Sequence, residues 1–169
     1  VNHGSLPIFP NLNSLDTTLK FVGLNGWKDL LFALQFFPNL NHLKVSMEHD
    51  RPLDLEEHNN WYAPDYVPDC LVRKLKKLEL MMTLKMTDNN LKLLAYILSK
   101  ALVLEKLCIS CRHKGRSAKD QLWNALNFCC SLFKLPRGTS TCEIEISDAY
   151  IKASSNDFKR WTPYMSIVY

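Results

Sequence analysis

The 169-residue sequence is poor in glycine, with 5, and has 8 prolines, which excludes a collagen-like repeat and a Pro/Gly-rich disordered chain. Long hydrophobic runs are missing as well. The longest apolar stretch, residues 30–37, is interrupted by Gln35 and falls far short of the ~20 residues that cross a bilayer. No membrane span is expected. Neither sign of charge dominates: 21 Lys and Arg against 17 Asp and Glu leave +4, evenly mixed, without the basic footprint of a nucleic-acid binder. Catalytic motifs are also lacking. The five histidines, His3, His42, His49, His58 and His113, are scattered, and there is no nucleophile elbow, zincin helix or phosphate loop. The sequence is therefore read as non-enzymatic, with no cofactor and no metal.

What is present is 47% hydrophobic and 11% aromatic residues. At this length that supplies one core, which buries about 70% of the unfolded chain's surface without a disulfide or metal staple. Six cysteines (Cys70, Cys108, Cys111, Cys129, Cys130, Cys142) lie in otherwise apolar segments and read as buried thiols. Cys108 and Cys111 have the gap of a zinc knuckle, but no second pair follows at knuckle spacing. Reduced thiols imply a cytoplasmic or nuclear protein. The first residue is Val1 and not methionine, so a fragment or processed product is expected.

Self-similarity sets the fold class. Phe9-Pro10-Asn11-Leu12-Asn13-Ser14-Leu15 is echoed 28 residues later by Phe37-Pro38-Asn39-Leu40-Asn41-His42-Leu43. Its core, Leu-x-x-Leu-x-apolar, recurs at Leu75, at Leu104 and more weakly at Thr141, in further steps of 35, 29 and 37 residues. Steps of this length belong to leucine-rich repeats, in which a strand and a helix stack on neighbouring copies to bury a shared apolar face. The intervening segments carry helical stripes: Trp27, Leu30, Leu31 and Leu34; Leu91, Leu94, Ala95 and Leu98 behind an Asp88 cap; Leu122, Ala125, Leu126 and Cys129. The first two begin 13 residues before the leucine that opens the next strand. The expected fold is α/β, a leucine-rich-repeat solenoid with parallel strands on the concave face and helices on the convex one.

Three regions follow. Residues 1–70 are leucine-rich repeats ending in an acidic and aromatic insertion, residues 48–70, with seven acidic residues against Arg51 alone and a net charge of −6. The remainder then carries +10. The insertion reads as a solvated loop whose second half, with Trp61, Tyr62 and Tyr66 between prolines, packs down on the repeats. Residues 71–147 continue the solenoid. Residues 148–169 show no convincing period and read as a tail or cap. The basic clusters Arg112 to Arg116 and Arg73 to Lys77 read as solvated surface.

Three further stretches stand out: Trp61-x-x-Pro64-x-x-Val67-Pro68-x-Cys70-Leu71, residues 91–109, and Leu132-x-x-Leu135-Pro136-Arg137-Gly138-Thr139-Ser140-Thr141-Cys142-Glu143-Ile144. In this order they resemble the plant F-box proteins with leucine-rich repeats and a C-terminal FBD region: the first is similar to the junction before FBD, the second to its helix and following strand, and the third to its closing motif. The resemblance implies the substrate-recognition part of an adaptor for a cullin-based ubiquitin ligase. No stretch of the sequence resembles an F-box, so a Skp-type linker and cullin are expected as partners only if one precedes it. The alternative is a repeat scaffold or decoy without a ligase role.

The Leu-x-x-Leu-x-apolar register places alternate side chains on the exposed sheet face. One column reads Ser14, His42, Lys77, Lys106, Glu143; the next Asp16, Lys44, Glu79, Cys108, Glu145; the third Thr18, Ser46, Met81, Ser110, Ser147. The candidate protein-binding residues are His42, Lys44, Lys77, Glu79, Lys106, Glu143 and Glu145. Lys44 with Glu79 and Lys106 with Glu143 are the expected cross-strand pairs. Lys77 beside Lys106 suggests an acidic or phosphorylated protein partner, with no nucleic acid and no membrane.

Overall fold

In a computed structural model of the chain, residues 7–21, 25–49, 62–83, 88–112, 118–147 and 152–157 are described. Five strands, β1 (Ser14–Phe21), β2 (His42–His49), β3 (Lys77–Thr83), β4 (Lys106–Arg112) and β5 (Glu143–Ser147), pair in parallel in chain order. A sixth, β6 (Lys152–Ser154), closes the row antiparallel to β5. Helices α1 (Asn25–Ala33), α2 (Asp69–Arg73), α3 (Asp88–Lys100) and α4 (Ala118–Phe133) fill the crossovers that parallel strands require. The α/β repeat architecture is the one the sequence spacing predicts.

Alternation along each strand puts the core on the helix side. Leu43, Val45, Leu78, Leu80, Leu107, Ile109, Ile144 and Ile146 are all at most 2% exposed. They pack with Trp27, Leu30 and Leu31 of α1, Leu93, Leu94 and Leu98 of α3, and Phe128 and Leu132 of α4. The α1 stripe is as expected: Trp27, Leu30, Leu31 and Leu34 are buried, Leu34 in a 3-10 turn, Leu34–Phe36, that follows the helix. Pro38 ends that turn, because the residue before a proline is disfavoured in helical conformation; Phe37 sits at φ −122, ψ 66.

The other two stripes are corrected. In α3 the buried arc is Leu93, Leu94, Tyr96, Ile97 and Leu98, while Leu91 and Ala95 are half-buried. The helix has neighbours on both sides, α2 and α4, so its buried arc is wider than a four-residue stripe and centred one residue away. In α4, Phe128, Cys129 and Leu132 face the core and Leu126 is 44% exposed; Leu122 and Ala125 side chains lie outside the described residues. Of the thiols, Cys70, Cys111, Cys129 and Cys142 are buried and Cys108 half-buried, but Cys130 is exposed, since its neighbour Cys129 takes the inward position. Burial pushes the Cys70 thiol up to about 11, and its Sγ–H points at the Leu34 carbonyl.

The repeats are tied together at the start of each strand. Asn41 N–H (2.8 Å) and His42 N–H (3.1 Å) both donate to the Asn13 carbonyl. Lys76 and Lys77 do the same to Asn41 (2.8 and 3.1 Å), and Glu105 and Lys106 to Lys76 (2.8 and 3.0 Å). Glu143 N–H closes the series on Glu105 at 2.9 Å. The echoed Pro-Asn pair adds a side-chain link, Asn39 Nδ2 donating to the Pro10 carbonyl at 2.8 Å. Insertions between strands leave this grip intact, which is why steps of 28 to 37 residues coexist in one register.

The Leu135 to Thr141 turn is anchored rather than loose. Arg137 donates Nη1–H to the Cys142 carbonyl at 2.6 Å and reaches Phe133 O at 3.5 Å, joining the end of α4 to the start of β5. Gly138 N–H donates to Leu98 O at 2.7 Å. A Cβ at Gly138 would lie 2.8 Å from Ser99 O and 2.9 Å from Leu102 Cδ2, closer than such atoms tolerate. Two regions singled out in the sequence, the centre of the acidic insertion (residues 50–61) and most of residues 148–169, lie outside the described residues.

Gly138→Ala is accordingly expected to cost about 1–3 kcal/mol, by forcing α4's exit away from α3. Urea unfolding of the variant beside the parent checks it; an unchanged midpoint would show that the turn yields freely.

Candidate functional site

Strand alternation leaves the opposite face of the sheet uncovered by any helix among the described residues. The pairing register reproduces the three columns read from the sequence. Ser14, His42, Lys77, Lys106 and Glu143 are successive partners; so are Asp16, Lys44, Glu79, Cys108 and Glu145; so are Thr18, Ser46, Met81, Ser110 and Ser147. All seven candidate residues therefore share one surface. Adjacent strands bring neighbours in a column to about 4.8 Å between backbones, so Lys77 and Lys106 are side by side.

Of the two expected ion pairs, Lys44 turns to a different acid, while Lys106 keeps Glu143 as the longer of its two contacts. Lys44 Nζ bonds Asp16 Oδ2 at 2.9 Å and not Glu79. Glu79 Oε1 is taken by Lys77 Nζ at 2.5 Å and His42 Nε2 at 2.7 Å. Lys106 Nζ lies 2.8 Å from Glu145 Oε1 and only 3.9 Å from Glu143 Oε2. Register fixes which residues are neighbours, but a lysine's long stem reaches the diagonal carboxylate as easily as the directly opposite one, so pairing is decided by competition among acids. Lys77 and Lys106 each hold their own carboxylate, and their mutual repulsion is offset within the sheet. Glu105 turns to the rim and meets Lys76 at 3.0 Å.

These contacts set the protonation behaviour. The Lys77 ammonium, seconded by His42, holds the Glu79 carboxyl below the usual carboxylate range. Glu145 raises Lys106, Glu79 raises Lys77, and Asp16 raises Lys44. Burial raises Cys108, whose Sγ points at Glu145 Oε2 from 3.9 Å, so this thiol is less disposed to ionise than an exposed one. In the two charged columns three lysines meet four carboxylates, a net charge of −1 with His42 neutral. The face is a compensated lattice, not a basic patch.

Sequence reasoning left Asp16 out of the binding set although the same register places it there. It also missed Ser154, which donates Oγ–H to Glu143 Oε1 at 2.9 Å from β6. A three-residue strand is too short to show a period, so no pattern could have revealed it. The third column is uncharged and small apart from half-buried Met81; Ser110 and Ser147 hydroxyls lie 3.4 Å apart. On the rim, a cleft of about 340 Å³ is lined by Pro10, Asn11, Asn13, Asn39, Asn41 and Lys74, amides and one ammonium. Among the described residues no three metal-ligating side chains come together, and no helix is long and apolar enough to cross a membrane. The basic cluster at Arg112 continues into residues 113–117, outside the described residues.

Comparison with known proteins gives one family. Residues 63–109 match the FBD domain, which is typical of plant F-box proteins with leucine-rich repeats. The match runs from the segment before α2 through β3 and α3 to Ile109 in β4, so it contains Lys77, Glu79 and Lys106 at the middle of the open face. No curated protein and no solved structure matches the chain.

Because the Glu79 carboxyl is depressed in the folded state, its contribution is full above its ordinary value of 4.5 and is lost as pH falls through the lower folded value. Glu79→Gln is expected to lower stability by about 1 kcal/mol at neutral pH. The gap between variant and parent should close as unfolding is measured at successively lower pH below 4.5. A gap independent of pH would remove the ionic role of Glu79.

Proposed function

We propose that this chain is a protein-recognition domain, the substrate-binding part of an F-box adaptor of a cullin-based ubiquitin ligase, and that it grips its partner on the open face of the sheet. The observation that carries the reading is the FBD match over the two central strands of a face that no helix among the described residues covers. Repeat sheets offer a broad, rigid array of side chains, and rigidity lowers the entropy lost on binding.

The compensated charges modify the partner first suggested by Lys77 and Lys106. A polyanion would have to compete with Glu79 and Glu145 for the lysines it seeks. The face favours a partner whose own acidic and basic residues alternate, exchanging ion pairs one for one along His42, Lys44, Lys77, Glu79, Lys106, Glu143 and Glu145. The third column, with four small hydroxyl residues out of five, gives that partner's backbone a place to approach closely. A cytoplasmic or nuclear setting belongs to the same reading, and so does recruitment of a Skp-type linker through an F-box joined to this domain. The other reading is a repeat scaffold that holds the same partner without a ligase.

Ser46→Tyr and Ser110→Tyr block the face without removing an ion pair. Each is expected to keep stability within about 0.5 kcal/mol of the parent and to lower retention of the partner in affinity capture about tenfold or more. Undiminished retention would move the interface elsewhere. Skp-type linker and cullin captured with the full-length protein support the adaptor; partner capture without them supports the scaffold.

A further inference from the structure

The residues just before the strands make a second polar array, on the rim of the sheet. Counted from Leu12, Leu40 and Leu75, the preceding position holds Asn11, Asn39 and Lys74, and the following one Asn13, Asn41 and Lys76. The strand register stacks these positions unit on unit. All but Lys76, which turns to Glu105 at 3.0 Å, line the cleft of about 340 Å³ together with Pro10.

The main chain at this rim is already paired, since the Asn13 and Asn41 carbonyls each accept two N–H groups. The side chains are not. Among the described residues the carboxamides of Asn11, Asn13 and Asn41 meet no partner, and Lys74 meets no carboxylate, whereas Lys44, Lys76 and Lys77 each hold one. Asn39 donates its Nδ2–H to the Pro10 carbonyl at 2.8 Å, which leaves Oδ1, an acceptor, as its main open group. No carboxylate lines the cleft. It therefore offers one cation, three amides that both donate and accept, and one acceptor that calls for an N–H.

That combination narrows the ligand. A phosphate group carries about −1.5 to −2 charge against a single ammonium, and its oxygens give Asn39 Oδ1 nothing to accept from. The end of a polypeptide has one negative charge, and its last peptide groups bring N–H and C=O together, which a carboxamide can meet both at once. The volume is at the small end of ligand sites, roughly 300–1,000 Å³. It has room for a chain end but not for a segment that must enter, present an acidic side chain and leave again. We propose that this cleft is a subsite for the free carboxyl-terminal end of a partner polypeptide, with the terminal carboxylate on Lys74 and the last peptide groups on the carboxamides of Asn11, Asn13, Asn39 and Asn41. The inference rests on the reading of the chain as a protein-recognition domain and adds to it: Asn41 directly precedes His42, so a partner lying on the open face has the rim within reach of its end.

The test titrates the isotopically labelled chain with N-acetyl-triglycine and follows the side-chain amide signals of the four asparagines by NMR. The free acid should move them, and its carboxyl-terminal amide should bind about tenfold more weakly or worse. N-acetyl-glycyl-aspartyl-glycinamide, whose carboxylate is internal, should bind no better than that amide. Lys74→Gln should remove the preference for the acid and leave the amide's binding as it was, Lys74→Arg should keep the preference, and Asn13→Ala should weaken both peptides. The chain carrying Ser46→Tyr should bind the acid as the parent does, so failure of the cleft and failure of the open face are read apart. Asparagine signals that do not move, or acid and amide that bind alike, overturn the proposal. So does inorganic phosphate or acetate that moves the same signals at lower concentration than the peptide acid, which would make the cleft a simple anion site.

Discussion

A single carbonyl accepting two N–H groups from the following unit is the contact on which this fold depends. It recurs at Asn13, Asn41 and Lys76, always at the residue just before a strand. Because the acceptor is fixed, the strand behind it can take only one register, and in a sheet a slip of one residue would exchange the core face for the open one. Everything downstream inherits that choice: Leu43, Leu78, Leu107 and Ile144 fall in one buried row, and Lys77 falls beside Lys106. The crossover lengths are then free to vary, and the chain has used that freedom for an acidic insertion and for the Arg137 turn.

The open face shows what such a register does to electrostatics. Parallel repeats stack equivalent positions, so a charge that recurs in the repeat meets itself on the next strand. The chain avoids a like-charge ladder by staggering signs between two columns. Asp16, Glu79 and Glu145 lie where Lys44, Lys77 and Lys106 can reach them. Exposed pairs of this kind add little stability. Their effect is to hold long side chains in set positions, which gives the face a defined pattern of charge.

How much of this was legible in the sequence depended on what each feature is made of. Columns and core rows follow from period and repeat spacing alone, so the sequence aligns His42, Lys77, Lys106 and Glu143 as the strand pairing does. The α1 stripe was legible because that helix has one buried side and Pro38 marks its end. The α3 arc was misread because a helix with neighbours on both flanks buries Leu93 and Ile97 as well as the sheet-facing Leu94 and Leu98. Ion-pair partners, Lys106 with Glu143 apart, escaped because they depend on side-chain reach, and β6 escaped because three residues carry no period. Gly138 lies beyond the matched residues 63–109; the structure supplies its physical reason, a backbone approach that leaves no room for a methyl group.

The shortness of β6 has a consequence for colloidal behaviour. Sheets aggregate by adding strands at exposed edges, and proteins suppress this by shortening, charging or covering the terminal strand. Here the C-terminal edge is guarded by a three-residue strand tied in by Ser154 and Ser155. Losing that short segment would bare the backbone of β5, whose core-side Ile144 and Ile146 are fully buried. A fragment cut just after β5 would thus be a stickier molecule than its small loss of contacts suggests, and solubility on expression would hinge on a few residues at one edge of the sheet.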